Sequence, residues 1–293
     1  MEIIDGKRIS EEIRQEIGAE VASMIDKDLR APHLAAVIVG DDPASQTYVA
    51  SKEKQAKGVG FTSTVYRMPA DTSREELMGV IEFLNNDNDV DGFIVQLPLP
   101  AHIDEQEVLL SINPAKDVDG FHPENVGRMA LGLPCYIPAT PNGIMELLKR
   151  YQVETAGKSC VVLGRSHIVG SPVSILMSQK TTPGNATVTL CHSRTQNLKE
   201  VCREADILIA AIGQPRFVTA DMVKEGAVVI DVGIHRVEDP SKKSGFRLVG
   251  DVDYDEVAKK ASMITPVPGG VGPMTIASLL QNTLKAAKKQ VYS

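Results

Sequence analysis

The chain is predicted to fold as two α/β lobes with a cleft between them, on three observations. Apolar runs of buried-strand type alternate with segments of helical periodicity almost from end to end, the pattern of parallel sheets covered by helices. The alternation restarts at about Ile137, and 293 residues suffice for roughly two domains of ordinary size. GRSHIVG at 164–170 is a glycine-bearing turn between an apolar strand and a helix, as in a Rossmann-type nucleotide lobe. The expected division is 1–138 for the first lobe, joined by a closing helix over 274–293, and 139–273 for the second.

Each element has its reason. Ile13, Ile17, Val21, Met24 and Ile25 recur at helical spacing, with Ser10 as the expected N-cap. LAAVIVG (34–40) is apolar without interruption and reads as a strand buried on both faces. Asp42 and Pro43 read as N-cap and first residue of a helix that stops at Gly58. After a strand near 61–66, Ser73 and Glu76 form a capping box for a helix with Leu77, Ile81 and Leu84 on its apolar face. GFIVQ (92–96) is the next strand, and a short helix follows near 104–111. The second lobe runs helix 141–151, strand 158–164, helix 171–179, strand 186–191, helix 197–204 and strand 205–213. Strands follow near 228–232, 248–251 and 262–266, and a helix closes the chain from about Met274.

Composition narrows the function classes. A net charge of −7 lacks the basic stripe of a nucleic-acid binder, and the local run SKEKQAK (51–57) reads as a solvated helix face apart from Lys52. No apolar run approaches the ~20 residues that cross a bilayer. MEIIDGKRIS has neither a signal-peptide core nor transit-peptide bias, so a cytoplasmic protein without membrane or nucleic-acid partners is expected. Cys135, Cys160, Cys191 and Cys202 are widely spaced, which speaks against a disulfide framework and a zinc site. The six histidines show no metal-like spacing, and no metal is expected.

The loop at 164–170 departs from G-x-G-x-x-G: Ser166 stands at the second glycine, Val169 at the third, and Gly170 one place late. Glycines there let the backbone approach a pyrophosphate, and the following helix supplies amides and a favourable dipole. An NAD site usually places an acid at the end of the second strand, on the ribose 2′-hydroxyl. Here that strand ends CHSRT, so Ser193 and Arg194, with Arg165, offer a pocket for a 2′-phosphate, and NADP is favoured over NAD. The alternative is that both arginines are plain surface residues.

In the first lobe Ser45, Tyr48 and Lys52 share one helix face, after a strand whose carboxyl end should open on the crevice. Gln96 ends another strand, and KDVDGF (116–121) presents Asp117 and Asp119 in a glycine turn. Such a set suits a polar, ring-shaped anionic ligand; an exposed lysine, a half-buried tyrosine and a turn aspartate is the alternative. PVPGGVGPMT (266–275) fixes an irregular backbone before the last helix, as a hinge or as a loop shaped against a flat ligand.

YVASK (48–52), VQLPLP (95–100), KDVDGFHP (116–123), GRSHIVG (164–170) and PVPGGVGPMT (266–275) together resemble the bifunctional methylenetetrahydrofolate dehydrogenase/methenyltetrahydrofolate cyclohydrolase family. The resemblance spans both lobes, and the glycine loop fits that family's own G-x-S-x-x-x-G form. TTPGN (181–185) and the segment after Ile234 look slightly extended, and neither falls on a motif. The resemblance implies Lys52 as the central catalytic residue, Gln96 bonded near it, and Tyr48 and Ser45 beside the substrate. Asp119 would grip the amino-pyrimidine edge of the pterin. Gly164, Arg165, Ser166 and Ser193, with Gly170 and Arg194 beside them, would hold NADP, and Ile234 would line the nicotinamide. Gly269, Gly270 and Pro273 would flank the pterin and nicotinamide. It further implies a folate substrate, a cytosolic homodimer and a place in one-carbon supply for purine and amino-acid synthesis.

Hydride loss from the methylene carbon between N5 and N10 of such a substrate leaves an amidinium, so that step needs alignment rather than a strong base. Hydrolysis of the methenyl product needs proton traffic, and Lys52 can carry it only with a pKa well below the ~10.4 of a free lysine. A neutral neighbour such as Gln96 permits this where a glutamate would oppose it. Three alternatives stand beside this reading: another two-lobed NADP dehydrogenase such as a shikimate or amino-acid dehydrogenase, a non-catalytic nucleotide sensor, and a monofunctional dehydrogenase.

Overall fold

Two parallel sheets carry the fold, each in its own unit. The computed structural model describes residues 1–242 and 245–292. One unit comprises residues 12–138 with 276–293, and the other residues 139–275 with 1–11.

Strand β1 (Glu2–Ile3), which belongs to the larger sheet, leads into α1 (Gly6–Ile25). The carboxylate of Asp5 accepts the Arg8 amide at 2.9 Å and so caps this helix. Ser10, expected as the cap, lies a turn inside, fully buried, and donates its hydroxyl to the Lys7 carbonyl at 2.9 Å. The buried apolar stripe begins only at Ile9, so the first turn carries no periodic signal.

The three-stranded sheet is built from β2 (His33–Val39), β3 (Thr62–Met68) and β4 (Gly92–Val95), all parallel, in the order β3-β2-β4. Helix α2 (Pro43–Gly58) connects β2 to β3, and its N-cap Asp42 accepts the Ser45 amide at 2.8 Å. Gly58 ends the helix as expected, while the left-handed residue is Gly60, with φ +87°. Helix α3 (Arg74–Asn86) opens on the Ser73/Glu76 capping box and buries Leu77, Ile81 and Leu84 against Ala35, Val37, Phe93 and Val95. The chain leaves β2 on one side to form β3 and returns on the other to form β4. The carboxyl ends of β2 and β4 therefore flank a topological switch point, where α/β sheets open a crevice. Helix α4 (Glu105–Ser111) lies where the sequence places it. Helix α5 (Pro123–Ala130) was not expected: it is only two turns, starts with Pro at its first position, and is capped by His122 Nδ1, an uncommon cap.

The six-stranded sheet is parallel throughout, in the order β1, β11 (Met263–Ile264), β8 (Val228–Asp231), β7 (Ile207–Ala210), β5 (Ser159–Leu163) and β6 (Thr187–Cys191). After α6 (Ala139–Arg150) come β5 (Ser159–Leu163), α7 (Gly170–Ser178), β6 (Thr187–Cys191), α8 (Leu198–Arg203), β7 (Ile207–Ala210) and β8 (Val228–Asp231). The short helix α9 (Tyr254–Val257) and strand β11 (Met263–Ile264) follow, and α10 (Val271–Ala287) closes the chain. The chain passes from β5 to β6 on one side and then to β7 on the other, so a second switch point lies between β5 and β7. The strand expected near 248–251 is β10 (Phe246–Val249), and it pairs antiparallel with an unforeseen β9 (His235–Glu238) outside the main sheet. The pairing of β1 with β11 draws residues 1–11 to this unit, whereas the sequence division left them with 12–138. A two-residue strand has no pattern of its own, and its partner lies some 260 positions along the chain.

The four cysteines are free, and among the described residues no helix is long and apolar enough to cross a membrane. Replacing Ser73 by Ala removes one half of a reciprocal cap and should lower stability by about 1 kcal/mol, read as a lower urea midpoint at unchanged m-value.

Candidate active site

Two side chains meet at the β2/β4 switch point. Gln96 directly follows β4 and continues its pairing, donating its amide to the Val37 carbonyl at 2.8 Å. Lys52 comes from the middle of α2, is only 6% exposed, and donates from Nζ to Gln96 Oε1 at 3.2 Å. The carboxamide is oriented by its other end, which donates to the Leu97 carbonyl at 2.6 Å. One turn before Lys52, the Tyr48 ring lies 4.9 Å from Nζ, and Tyr48 is 39% exposed. Ser45, a further turn back, is buried in the first turn of α2.

Burial drives Lys52 below the usual lysine range, and the charge of Asp119 works against that shift. Asp119 is raised by burial, and the charge of Lys52 works against it. Each group is thus pushed by desolvation toward its neutral form and by the other toward its charged one. Asp119 follows Asp117 and Val118, whose segment lies alongside β4 through a parallel bridge between Phe93 and Asp117. Gly120 turns the chain with φ +74°, and a Cβ there would stand 2.7 Å from the Tyr136 carbonyl oxygen. Asp117 is buried and pushed up to about 7 by that burial, despite accepting the His122 amide at 2.8 Å and the Asn125 side-chain amide at 3.0 Å. It faces inward as part of the scaffold.

In the other unit, the loop between β5 and α7 folds on itself at the second switch point. Gly164 has φ +106°, and a Cβ there would stand 2.0 Å from the Ala211 carbonyl oxygen just beyond β7. A Cβ on Gly170 would stand 1.9 Å from the Gly164 carbonyl oxygen. Only glycines permit this cradle, and it brings the backbone close to whatever anion sits at the start of α7. Ser166 Oγ accepts the Val169 amide at 3.2 Å and holds the loop's shape. Ser193 and Arg194 follow β6 in an exposed turn, where the Arg194 amide donates to His192 Nδ1 at 3.1 Å. No acid stands at that strand end, and the exposed guanidinium groups of Arg165 and Arg194 have no ion-pair partner among the described residues. The residues present fit a dinucleotide with a 2′-phosphate.

Ile234, 61% exposed, follows β8, and its loop rests on two buried carboxylates that the sequence reading missed. Asp231 accepts the amides of Gly233 (3.0 Å), Asp251 (2.9 Å) and Val252 (3.0 Å), and burial pushes it up to about 6. Asp251, fully buried, accepts the amides of Ile212 (2.8 Å) and Gly213 (3.0 Å) and bonds His235 Nε2 at 2.7 Å. A carboxylate closing an apolar strand was the available signal for both. Gly269 and Gly270 lie in the same unit, with Gly269 at φ +107° and its carbonyl accepting the Lys7 amide at 2.9 Å, and Pro273 is partly buried in the first turn of α10.

The sequence matches two family models in tandem: the tetrahydrofolate dehydrogenase/cyclohydrolase catalytic domain over residues 4–119, and that family's NAD(P)-binding domain over 138–291. The chain belongs to the tetrahydrofolate dehydrogenase/cyclohydrolase family. It is 64% identical over 292 residues to the bifunctional protein FolD of Bacteroides thetaiotaomicron, covering all of both chains. To the same-named protein of Cytophaga hutchinsonii it is 62% identical, over 98% of this chain and 99% of the relative. Among solved structures, the bifunctional dehydrogenase/cyclohydrolase of Campylobacter jejuni superposes with a TM-score of 0.92 at 47% identity, covering 99% of each chain. The Trypanosoma brucei enzyme, solved with NADP and an inhibitor, gives 0.91 at 42% identity, covering 99% of this chain and 98% of its own. Lys52, Gln96 and Asp119 lie in the stretch matched by the family's catalytic domain, and the glycine cradle in the stretch matched by its NAD(P)-binding domain.

Gly170→Ala drives a methyl into the Gly164 carbonyl and should weaken NADP binding by about ten-fold or more in calorimetric titration. Lys52→Met should raise the melting temperature by a few degrees near neutral pH, since about 1 kcal/mol corresponds to 2–4 °C at this size. The sign follows from the lowered folded-state pKa: the unfolded chain holds the proton up to ~10.4, so the parent gains stability as pH rises through that window. The advantage of the variant should shrink accordingly in melts toward alkaline pH.

Proposed function

We propose that this chain oxidises 5,10-methylenetetrahydrofolate to the 5,10-methenyl form with NADP and hydrolyses that product to 10-formyltetrahydrofolate. The observation that carries the reading is the buried Lys52 amine, held below its ordinary pKa beside a neutral carboxamide at the switch point.

NADP supplies the hydride acceptor. The chain's own residues do the rest. Gly164 and Gly170 admit the phosphates to the amides opening α7, Ser166 shapes that loop, and Arg165, Ser193 and Arg194 take the 2′-phosphate. Ile234 lines the nicotinamide; Gly269, Gly270 and Pro273 shape the surface for the flat rings. Removing a hydride from the methylene carbon leaves a cation spread over N5 and N10, so this step requires approach to within roughly 3–3.5 Å and alignment, with no base. Tyr48 packs beside the pterin, Ser45 borders it, and Asp119 bonds its amino-pyrimidine edge.

Hydrolysis then needs protons moved. Water adds to the methenyl carbon and releases one proton; the tetrahedral adduct collapses when N5 takes one and leaves, and the hydroxyl proton passes to solvent as the formyl C=O forms, so the methenyl cation and water give a neutral product and one released proton. A neutral Lys52 accepts the first and returns it to N5, so the net proton count at the amine is unchanged. Gln96 accepts a hydrogen bond from Nζ in either protonation state and adds no negative charge, which keeps the amine's pKa low. The cationic substrate pushes it lower still.

The proposal includes a cytoplasmic homodimer. Strand β3 is an edge of its sheet, and Tyr66, Met68 and Val80 gather beside Phe83, which is 56% exposed, into an apolar patch that a second copy would cover.

Lys52→Met should abolish methenyltetrahydrofolate hydrolysis while NADP still binds, and retained hydrolysis would remove Lys52 from the mechanism. Arg165→Ala combined with Ser193→Ala should raise KM for NADP by about ten-fold or more and leave that for NAD nearly unchanged, as loss of charge-assisted phosphate bonds requires. An equal loss for both cofactors would overturn the 2′-phosphate assignment.

A further inference from the structure

The backbone that carries Asp119 is held from behind by a side chain outside the reacting set. Asn282, on α10, is fully buried. Its carboxamide nitrogen donates to two carbonyls, Val118 and Ile137, each at 2.9 Å. Val118 directly precedes Asp119. Gly120, directly after it, runs against residues 136–138 so closely that a Cβ would stand 2.7 and 2.8 Å from backbone atoms of Tyr136 and Ile137. Asn282 therefore staples together the two stretches between which the turn is formed. A second set of bonds holds the turn's near end: Asn125 donates to Asp117 at 3.0 Å and accepts the Tyr136 amide at 3.2 Å and the Tyr292 hydroxyl at 2.9 Å.

The amide makes two bonds at its nitrogen and carries a cost at its oxygen. Asn282 Oδ1 is buried without a hydrogen-bond partner among the described residues, as is Ser278 Oγ one turn earlier on the same face. An orphaned acceptor costs about 1–3 kcal/mol, and neighbours on this helix such as Leu279 and Leu280 are fully apolar. Leucine would fill the site without that cost but could not donate to either carbonyl.

We propose that Asn282 is a positioning residue for Asp119: by fixing the Val118 carbonyl it sets where the Asp119 carboxyl stands relative to the Lys52 amine. Through that distance it controls how strongly the two charges oppose their desolvation. The proposal rests on the role given above to Asp119.

The test uses the full chain and two substitutions, alone and combined. Asn282→Leu should lower kcat/KM for methenyltetrahydrofolate hydrolysis by about ten-fold, raise KM for the folate and move the pH limb of the rate, with KM for NADP changed less than about two-fold. Placed on Asp119→Asn, the same substitution should add less than about two-fold, because its effect passes through the residue already lost. A folded Asn282→Leu with unmoved folate KM and pH limb, or a loss that multiplies fully with that of Asp119→Asn, would make Asn282 a packing residue only. Full activity of Asp119→Asn alone would instead refute the role of Asp119, a separate result. Should Asn282→Leu not fold, Asn282→Ala deletes the same two donated bonds with less bulk. It should move the same pH limb in the same direction, and an unmoved limb would overturn the proposal.

Discussion

Holding the Lys52 amine in a nearly dry site is costly, because an ammonium leaves its hydration behind and a lone carboxamide oxygen replaces little of it. That cost lowers the amine's affinity for the proton, which is the property the proposed proton transfer requires of Lys52. The surrounding choices follow from the same constraint. A glutamate in place of Gln96 would restore the charge and the high pKa. Asp119 pulls in that direction, and burial of its own carboxyl weakens the pull by favouring the neutral acid.

The two sheets repeat one topological device for different ends. In each, the chain leaves a central strand to one side and returns on the other, and the candidate residues lie where the carboxyl ends part. In the smaller sheet the opening receives side chains, Lys52 from the helix after one strand and Gln96 from the end of the next. In the larger sheet it receives backbone: a Cβ on Gly164 or Gly170 would stand 2.0 or 1.9 Å from a carbonyl oxygen, so only glycine permits the close turn before α7. Behind both lie buried acids that accept amide bonds, Asp117 in one unit and Asp231 with Asp251 in the other, Asp251 also bonding His235 Nε2. A carboxylate that takes two or three backbone amides locks loop geometry more firmly than apolar packing, since its bonds are directional and charge-assisted.

Local sequence does not mark β1, β9 or the buried pair Asp231 and Asp251, but it specifies the longer strands of both parallel sheets, most of the helices and the candidate residues of the motifs. Those rest on short-range physics: apolar run length, helical spacing, and caps such as Asp42 and the Ser73/Glu76 pair. The five motifs then named the family and its chemistry. Tertiary structure decided what depends on contacts between distant residues. A two-residue strand joins the opposite end of the chain, Asp5 rather than Ser10 starts the first helix, and Asn282 reaches back 164 positions to the carbonyl beside Asp119. No local pattern marks such partners, because a hydrogen bond to a carbonyl depends on where the backbone passes, and any residue type can lie there.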